Sequence, residues 1–206
     1  MPRSSDVVVV GAGVFGAWTA LQLRRAGRSV TLVDAFGTAN TRSSSSGATR
    51  VIRAGYGANL IYSQWAQRSA HAWRELFRDW RQDLFTRTGV LWMARDDDQT
   101  TDDTIATLKR LHVPFESLDR AALEERFPQF SFGPITRGVL ETDAGVIMAR
   151  RAVQMVVRQA MKQSVDYRIT AVAAPTGSGA IDSLVASDGS RLTAGTYVFA
   201  CGPWLP

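Results

Sequence analysis

Three glycines near the start of the chain have the spacing of a phosphate-binding turn. Gly11, Gly13 and Gly16 form the pattern Gly-x-Gly-x-x-Gly directly after the apolar run Val7 to Val10. In this pattern the first glycine permits a tight turn, the second lets a pyrophosphate approach the backbone, and the third lets a helix pack closely on a strand. The motif opens a predicted helix, and the amides at a helix start attract phosphate. The segment therefore predicts a dinucleotide site.

An acidic residue follows the next predicted strand. Ala17 to Arg25 has helical propensity, Gly27 ends that helix, and Ser29 to Val33 indicates a second strand with Asp34 at its tip. A carboxylate in this place accepts hydrogen bonds from ribose hydroxyls, and its charge disfavours a 2′-phosphate. NADP is therefore not expected. The β-α-β context makes the glycine motif specific for a dinucleotide but leaves FAD and NAD both open.

The polar segment that follows carries a resemblance to a known family. Residues 43–53 read Ser-Ser-Ser-Ser-Gly-Ala-Thr-Arg-Val-Ile-Arg, and Tyr56-Gly57 comes next. This stretch resembles the one after the second strand in monomeric sarcosine oxidase and its relatives within the D-amino-acid oxidase superfamily. The likeness continues at residues 85–91, 143–146 and 202–204, so it runs along nearly the whole chain.

The resemblance implies FAD as the cofactor and an amine as the substrate. In that family, hydride passes from the carbon beside nitrogen to the flavin, and the imine is then hydrolysed. An arginine matching Arg53 binds the substrate carboxylate, and one matching Arg50 lies close to the flavin. A planar guanidinium can hold a carboxylate through two hydrogen bonds, and a nearby cation stabilises negative charge on reduced flavin. We therefore expect Arg50 and Arg53 to be catalytic and the substrate to be a small-molecule amine that carries a carboxylate.

The resemblance also implies which residues hold the cofactor. The adenosine would contact Asp34 and Ala35, and the pyrophosphate would contact Ser43 or Ser44. The backbone of Val172 would meet the adenine, and Gly202 would end the strand that approaches the flavin. The predicted cofactor-binding residues are Gly11, Gly13, Val14, Gly16, Asp34, Ala35, Ser43, Ser44, Thr49, Arg50, Val172 and Gly202.

The chain departs from the family pattern in two ways. Sarcosine oxidase has His-His where this chain has Ser45-Ser46, which leaves open whether sarcosine itself is the substrate. Family members are also nearly twice as long, and their second half carries the rest of the substrate domain, a lysine that activates oxygen and a cysteine that attaches flavin. We therefore expect catalysis to need a C-terminal half beyond these residues. Cys201 does not match that cysteine and is interpreted as a small buried apolar residue.

The predicted fold class is α/β, with a Rossmann-like FAD-binding domain into which part of an α+β substrate domain is inserted. The FAD-binding domain would comprise residues 1–84 and 147–206, and residues 85–146 would begin the substrate domain. Helices are expected at Leu60 to Leu84, Thr104 to Leu111, Arg120 to Arg126 and Ala149 to Lys162. From Tyr167 the pattern becomes β, with strands at 167–173, 181–186 and 197–200. Turns are expected at Pro175-Thr176-Gly177 and at Asp188-Gly189, where Asp-Gly between apolar runs indicates a hairpin.

Composition excludes several other classes. The 206 residues carry a formal charge of +5, but the arginines are scattered, so no nucleic-acid surface is expected. Neither His71 and His112 nor the aspartates of residues 96–103 have the spacing of metal ligands, so no metal is expected. With one cysteine and no long apolar stretch, a cytoplasmic protein without a membrane span is predicted. Two alternatives to the amine oxidation stay open: an NAD-linked dehydrogenase, and a non-catalytic nucleotide-binding fragment or subunit.

Overall fold

The computed structural model describes residues 4–175 and 179–205. Its residues divide into two compact units: unit 1 comprises Met1–Ala48 and Ala149–Pro206, and unit 2 comprises Thr49–Met148. In chain order the strands are β1 (Ser5–Val10), β2 (Val30–Asp34), β3 (Arg50–Ile52), β4 (Phe85–Thr86), β5 (Val90–Ala94), β6 (Phe115–Asp119), β7 (Arg137–Glu141), β8 (Gly145–Ile147), β9 (Asp166–Ile169), β10 (Leu184–Val185), β11 (Arg191–Leu192) and β12 (Ala194–Phe199). The helices are α1 (Val14–Arg25), α2 (Leu60–Asp79), α3 (Gln99–Arg110), α4 (Arg120–Arg126) and α5 (Ala149–Lys162), with short 3-10 turns at Ser44–Ser46 and Gly202–Trp204.

A parallel four-stranded sheet in the order β12-β1-β2-β9 organises unit 1. Its central strand β1 buries all of Val7 to Val10, because a strand flanked by neighbours and covered on both faces must be apolar throughout. Helix α1 connects β1 to β2 and packs against α5. The predicted β-α-β unit and the α/β class with a Rossmann-like domain are thereby confirmed.

A small hairpin packs on this sheet. Strands β10 and β11 pair antiparallel around Asp188-Gly189, where Gly189 has a φ of +81° that suits glycine. Leu184 and Leu192 from the hairpin join Val8, Val10 and Val33 of the sheet in one buried cluster. The hairpin turn predicted at Asp188-Gly189 is therefore confirmed, but its second strand is β11 and not the predicted strand at 197–200, which belongs to β12 and pairs with β1. Thr176 and Gly177 of the other predicted turn lie outside the described residues.

Unit 2 contains two antiparallel three-stranded sheets. One has the order β3-β8-β4 and the other the order β5-β7-β6. Helix α3 supplies Leu108 to a buried cluster with Val139 of β7, and α4 supplies Leu123 to a second cluster with Leu140. Because successive side chains of a strand point to opposite faces, β7 serves one cluster from each face.

Three helix predictions were wrong at their ends. Helix α1 begins at Val14 rather than Ala17. Helix α2 ends at Asp79 rather than Leu84, and its Trp65 is 53% exposed. Helix α3 begins at Gln99 rather than Thr104, because the Asp98 side chain accepts a hydrogen bond from the Thr101 N–H at 3.2 Å and caps the helix. Helices α4 and α5 have the predicted bounds.

Strand predictions were less complete than helix predictions. The short strands β3, β4, β6 and β11 were not predicted. Two predicted strands are shorter in the structure, since β9 stops at Ile169 and β10 contains only Leu184–Val185. The last strand, β12, begins at Ala194, three residues ahead of the prediction, and ends at Phe199.

The division into units differs from the predicted domain bounds on one side. Residues 49–84 belong to compact unit 2, whereas the sequence placed them with the FAD-binding domain. The return to unit 1 comes at Ala149, close to the predicted residue 147. The functional meaning of the units, FAD binding for one and substrate binding for the other, stays a prediction.

Candidate functional site

The glycine motif makes the turn between β1 and α1, and two of its glycines are required by the fold. Gly11 has a φ of +103°, and a Cβ placed there would lie 2.4 Å from the Ala200 carbonyl oxygen. A Cβ on Gly16 would lie 1.8 Å from the Gly11 carbonyl oxygen, so only glycine lets α1 begin this close to β1. Gly13 differs, because a Cβ there would meet nothing nearer than the Ser45 Oγ at 3.5 Å. The protein's own packing therefore leaves space in front of Gly13.

A cleft of about 330 Å³ opens in front of this turn within unit 1. It lies at the carboxyl ends of β1, β2 and β12, the edge of a parallel sheet at which ligands bind in doubly wound folds. The predicted residues that line it are Gly11, Gly13, Val14, Asp34, Ala35, Ser43, Ser44, Val172 and Gly202. Among the other predicted residues, Gly16 packs behind the turn, while Thr49 and Arg50 belong to unit 2.

Asp34 holds the glycine turn and the following loop together. Its Oδ2 accepts a hydrogen bond from the Ala12 N–H at 2.8 Å, and its Oδ1 accepts one from the Phe36 N–H at 2.9 Å. The Asn40 side-chain amide also donates to Oδ1, at 3.3 Å. Because a carboxylate has four lone-pair positions, these bonds are compatible with a further bond to a ribose hydroxyl.

The serine segment contributes to the cleft a residue that was not among the predicted cofactor-binding residues. The Ser45 Oγ accepts a hydrogen bond from the Val14 N–H at 3.0 Å, at the start of α1, where the first amides have no partner inside the helix. Ser45 also lines the cleft. An N-terminal helix amide that needs an acceptor was a signal available from the sequence, but which serine reaches it depends on the course of the loop.

Aromatic residues line the cleft beside this loop. Phe36, 53% exposed, carries the Arg42 guanidinium over its ring at 4.3 Å from the centroid. The Trp204 indole N–H donates to the Arg42 carbonyl oxygen at 3.2 Å, which ties the serine loop to the Gly202–Trp204 turn. Neither Phe36 nor Arg42 was among the predicted site residues.

Cys201 lines the same cleft and is half-buried rather than buried. Burial raises the pKa of its thiol above the usual value of 9.0, and the negative charge of Asp34 raises it further. A raised pKa keeps the sulfur as a thiol at neutral pH, which disfavours a role as a nucleophile. The interpretation of Cys201 as a small apolar residue is consistent with this chemistry.

Arg53 lies in unit 2, just after β3, and its guanidinium lies over two aromatic rings. Its Cζ is 4.4 Å from the Tyr56 ring centroid and 4.3 Å from the Trp92 ring centroid. Its Nη1 donates to the Gly55 carbonyl oxygen. A guanidinium that stacks on an aromatic ring uses a face of its plane and keeps its N–H groups along the edge. The side chain is therefore held in one plane from which it can bind a carboxylate.

Arg50 begins β3 and is exposed, and its Nη1 donates to the Thr49 carbonyl oxygen at 2.8 Å. Its predicted proximity to the flavin, like the contact predicted for Thr49, stays a prediction. Among residues 4–175 and 179–205, no group of three or more acidic, histidine or cysteine side chains could hold a metal ion. No helix in that part of the chain is long and apolar enough to cross a membrane.

Residues 6–206 match the family described as FAD dependent oxidoreductase (DAO). The chain belongs to this family. Its fold, its glycine turn and its open cleft fit the ADP half of FAD, since the cleft opens where Gly13 presents backbone rather than a side chain. The proteins of this family depend on FAD. The NAD-linked alternative is therefore set aside.

Similar proteins of known activity confirm the resemblance. Monomeric sarcosine oxidase from a Bacillus species (strain B-0618) is 30% identical over 155 residues, which are 75% of this chain and 40% of that protein. N-methyl-L-tryptophan oxidase from Citrobacter koseri is 27% identical over 211 residues, 98% of this chain and 56% of that protein. The chain thus spans about half the length of the curated relatives it matches.

Solved structures show the same relationship. The open form of NikD, an amino acid oxidase essential for nikkomycin biosynthesis, has a TM-score of 0.79 and 28% identity, and the match covers 98% of this chain and 52% of NikD. L-proline dehydrogenase from P. horikoshii has a TM-score of 0.87 at 20% identity over 99% of this chain and 54% of that one, which shows the shared fold. The fold of these structures is therefore shared over 98% to 99% of this chain.

Proposed function

We propose that this chain provides the FAD-binding and carboxylate-anchoring residues of an enzyme that oxidises an amine on an amino-acid-type molecule. The single observation that carries the proposal is the cleft of unit 1, where a glycine turn and an acidic strand end meet in a chain of the FAD dependent oxidoreductase family. Because the relatives are about twice as long, the proposal concerns a protein of their length that includes this chain. The cytoplasmic location predicted from the sequence stays a prediction.

The residues of the cleft would hold the ADP half of FAD in distinct ways. The turn at Gly11 and Gly13 offers backbone N–H groups and no side chain, which suits a pyrophosphate. Asp34 would bind the ribose with its remaining lone pair, on Oδ2. Ala35 and Val172 line the cleft where the adenine would lie, and Ser43, Ser44 and Ser45 line it near the phosphates.

Arg53 would anchor the substrate. Bound FAD would accept the two electrons that are removed when the carbon–nitrogen single bond of the amine is oxidised to an imine. The part of Arg53 is to hold the substrate carboxylate through two parallel N–H···O bonds, which fixes the amine carbon in one orientation. Arg50 would supply positive charge near the reacting groups.

The substrate class is a small amine that carries a carboxylate. The names of two relatives specify sarcosine and N-methyl-L-tryptophan, and both compounds are amines that carry a carboxylate. Ser45-Ser46 stands where sarcosine oxidase has two histidines, so this chain presents hydroxyl groups where sarcosine oxidase presents imidazoles. We therefore propose the class and not an individual amine.

The proposal is tested in two steps. In the first, the chain is mixed with FAD, passed through gel filtration, and its visible absorption recorded, with Gly13→Ala, which places a methyl group in the open space in front of the turn, as the comparison. Retained flavin bands in the unmodified chain and their loss in the variant are the expected result. A colourless chain that retains NAD instead would contradict the cofactor assignment.

In the second step, Arg53→Ala and Arg53→Lys are compared in a protein of the relatives' length. The KM for carboxylated amines should rise at least about 100-fold for alanine, because a charge-assisted bidentate contact contributes roughly 3 kcal/mol. Lysine keeps the charge but not the planar fork, so it should restore only part of the affinity. An unchanged KM in both variants would remove Arg53 from the substrate site.

A further inference from the structure

Glu141 is a buried acid outside the cofactor cleft that the proposed chemistry does not use. It ends β7 with 1% of its surface exposed. Its Oε2 accepts a hydrogen bond from the Ala54 N–H at 2.7 Å. Its Oε1 accepts two more, from the Gly55 N–H at 3.0 Å and from the Trp92 indole N–H at 2.7 Å. Burying a carboxylate is unfavourable unless such bonds compensate it, so this arrangement calls for an explanation.

All three donors surround Arg53. Ala54 and Gly55 directly follow it, and the Gly55 carbonyl accepts the bond from its guanidinium. Trp92 supplies one of the two rings over which that guanidinium lies. The two carboxylate oxygens of Glu141 thus hold the backbone that follows Arg53. One of them, Oε1, also fixes the plane of the Trp92 ring.

We propose that Glu141 is the positioning residue of Arg53, acting through Trp92 and the backbone of residues 54 and 55. The inference rests on the proposed function only in the purpose it gives to Arg53, the binding of a carboxylate. Glu141 sets the direction in which the guanidinium presents its N–H edge. The carboxylate of Glu141 therefore acts on the substrate through Arg53 and not by contact.

The packing around this group leaves little freedom for another arrangement. A Cβ on Gly55 would lie 2.7 Å from the Glu141 Oε1 and 2.8 Å from the Thr104 Cγ2, so backbone, carboxylate and helix α3 are in close contact there. Arg53 and Glu141 also line one small cavity of about 90 Å³, together with Arg74. A substitution of Glu141 should therefore change the position of the Arg53 side chain.

The chemistry requires an acid and not an amide. An ionised carboxylate accepts at both oxygens, which matches donors on both sides. In Glu141→Gln one oxygen becomes an NH2 group, which would face either the Ala54 N–H or the pair formed by Gly55 and Trp92. One side of the arrangement then loses its hydrogen bonds while the size of the side chain is unchanged.

The nuclear magnetic resonance signal of the Arg53 Nε–Hε group reports this positioning directly. Aromatic rings over which a guanidinium lies shift its proton signals upfield, so the Arg53 signal, assigned by its loss in Arg53→Lys, should be displaced from those of exposed arginines. In Glu141→Gln the displacement should shrink by at least about half, because Trp92 loses the bond that fixes its ring. Glu125→Gln, at an exposed position of α4, is the matched control and should leave the signal in place.

A second variant keeps the test decisive if Glu141→Gln does not fold. Trp92→Phe retains an aromatic ring but has no N–H for Glu141, so the Arg53 signal should move in the same direction as in Glu141→Gln. A folded Glu141→Gln, or a folded Trp92→Phe, in which the Arg53 signal keeps its original position would overturn the inference. A role in fold stability alone would lower the melting temperature without moving that signal.

Titration with sodium acetate, against sodium chloride at equal ionic strength, links the positioning to carboxylate binding. The Arg53 signal of the unmodified chain should respond to acetate, and Glu141→Gln should weaken the apparent affinity about tenfold. If the unmodified chain does not respond at Arg53, the carboxylate role in the proposed function is contradicted. If it responds and Glu141→Gln responds with equal affinity, the inference about Glu141 is contradicted while the proposed function stands.

Discussion

Gly13 and Gly16 belong to one motif but have different surroundings, and this difference separates folding from binding. Gly16 has no room for a Cβ, which would lie 1.8 Å from the Gly11 carbonyl oxygen. A Cβ on Gly13 would have its nearest neighbour, the Ser45 Oγ, at 3.5 Å. Gly16→Ala should therefore lower the free energy of unfolding by about 3 kcal/mol or more. Gly13→Ala should change it by less than about 1 kcal/mol and yet weaken FAD binding at least about tenfold, since its methyl group takes the place of a phosphate.

Urea unfolding and fluorescence titration with FAD measure the two effects separately. Gly195→Ala is a suitable control, because a Cβ there would meet nothing nearer than 3.6 Å and the residue lies outside the cleft. Equal FAD affinity in Gly13→Ala and the unmodified chain would show that no phosphate approaches this glycine. Equal stability in Gly16→Ala would contradict the close packing of α1 on β1.

At the scale of elements, a side-chain clamp joins the first two strands and gives stability a dependence on pH. The Ser29 N–H donates to the Asp6 Oδ2 at 2.7 Å, and the Asp6 N–H donates to the Ser29 Oγ at 2.8 Å. The Ser29 backbone N–H, and after it the Ser29 hydroxyl, lower the pKa of Asp6 below its usual 3.8. The folded state therefore binds this proton less readily than the unfolded state does.

The sign of the effect follows from that shift. A lowered pKa contributes stability that is present above pH 3.8 and lost as the pH falls through the folded-state value. Asp6→Asn keeps the acceptor for the Ser29 N–H but cannot titrate, so its free energy of unfolding should fall less steeply than that of the unmodified chain below about pH 4. Urea unfolding at a series of pH values measures the slopes, with the exposed Asp97→Asn as control. Asp102 and Asp188 also have lowered pKa values, but they are present in both proteins and contribute equally to both slopes. Identical slopes for Asp6→Asn and the unmodified chain would therefore show that Asp6 makes no pH-dependent contribution to stability.

Elements were predictable from the sequence where a local pattern decides them. Helix α5 has an uninterrupted amphipathic pattern, and its predicted bounds were correct. Helix α2 was predicted too long because the apolar spacing continues to Leu84, while the backbone turns at Arg81 with a φ of +51°. The short strand β4 exists because it pairs with β8, and a strand of this length carries no pattern of its own.

The site was predictable to the extent that it lies on one contiguous motif. The positions of Gly11, Gly13 and Asp34 followed from the β-α-β unit, and these residues do line one cleft. Ser45, Phe36 and Trp204 reach it because a loop and the chain end approach the sheet from elsewhere, which local spacing does not encode. The stacking of Arg53 on Trp92 likewise depends on strand pairing in unit 2 and had no local signal.

For the whole molecule, unit 1 is built from two chain segments whose inner ends meet. The Arg150 N–H donates to the Gly47 carbonyl at 3.3 Å, and its Nε donates to the Ser46 carbonyl at 2.7 Å. In unit 2, β3 and β8 are antiparallel with Arg50 opposite Ile147, so the inserted chain also begins and ends side by side. Insertions with neighbouring ends can be removed with little disturbance of the host.

Replacing residues 49–148 by a flexible Gly-Ser linker of about six residues should therefore give a folded unit 1. Its sheet of β12, β1, β2 and β9 and its buried cluster are all made within unit 1. The shortened chain should unfold cooperatively and bind FAD more weakly than the full chain, since the contacts predicted for Thr49 and Arg50 are removed with the insert. The double variant Thr49→Ala, Arg50→Ala in the full chain should lose the same affinity. If the shortened chain is unfolded, unit 1 depends on unit 2 for stability; if it binds FAD as tightly as the full chain, then Thr49 and Arg50 do not belong to the cofactor site.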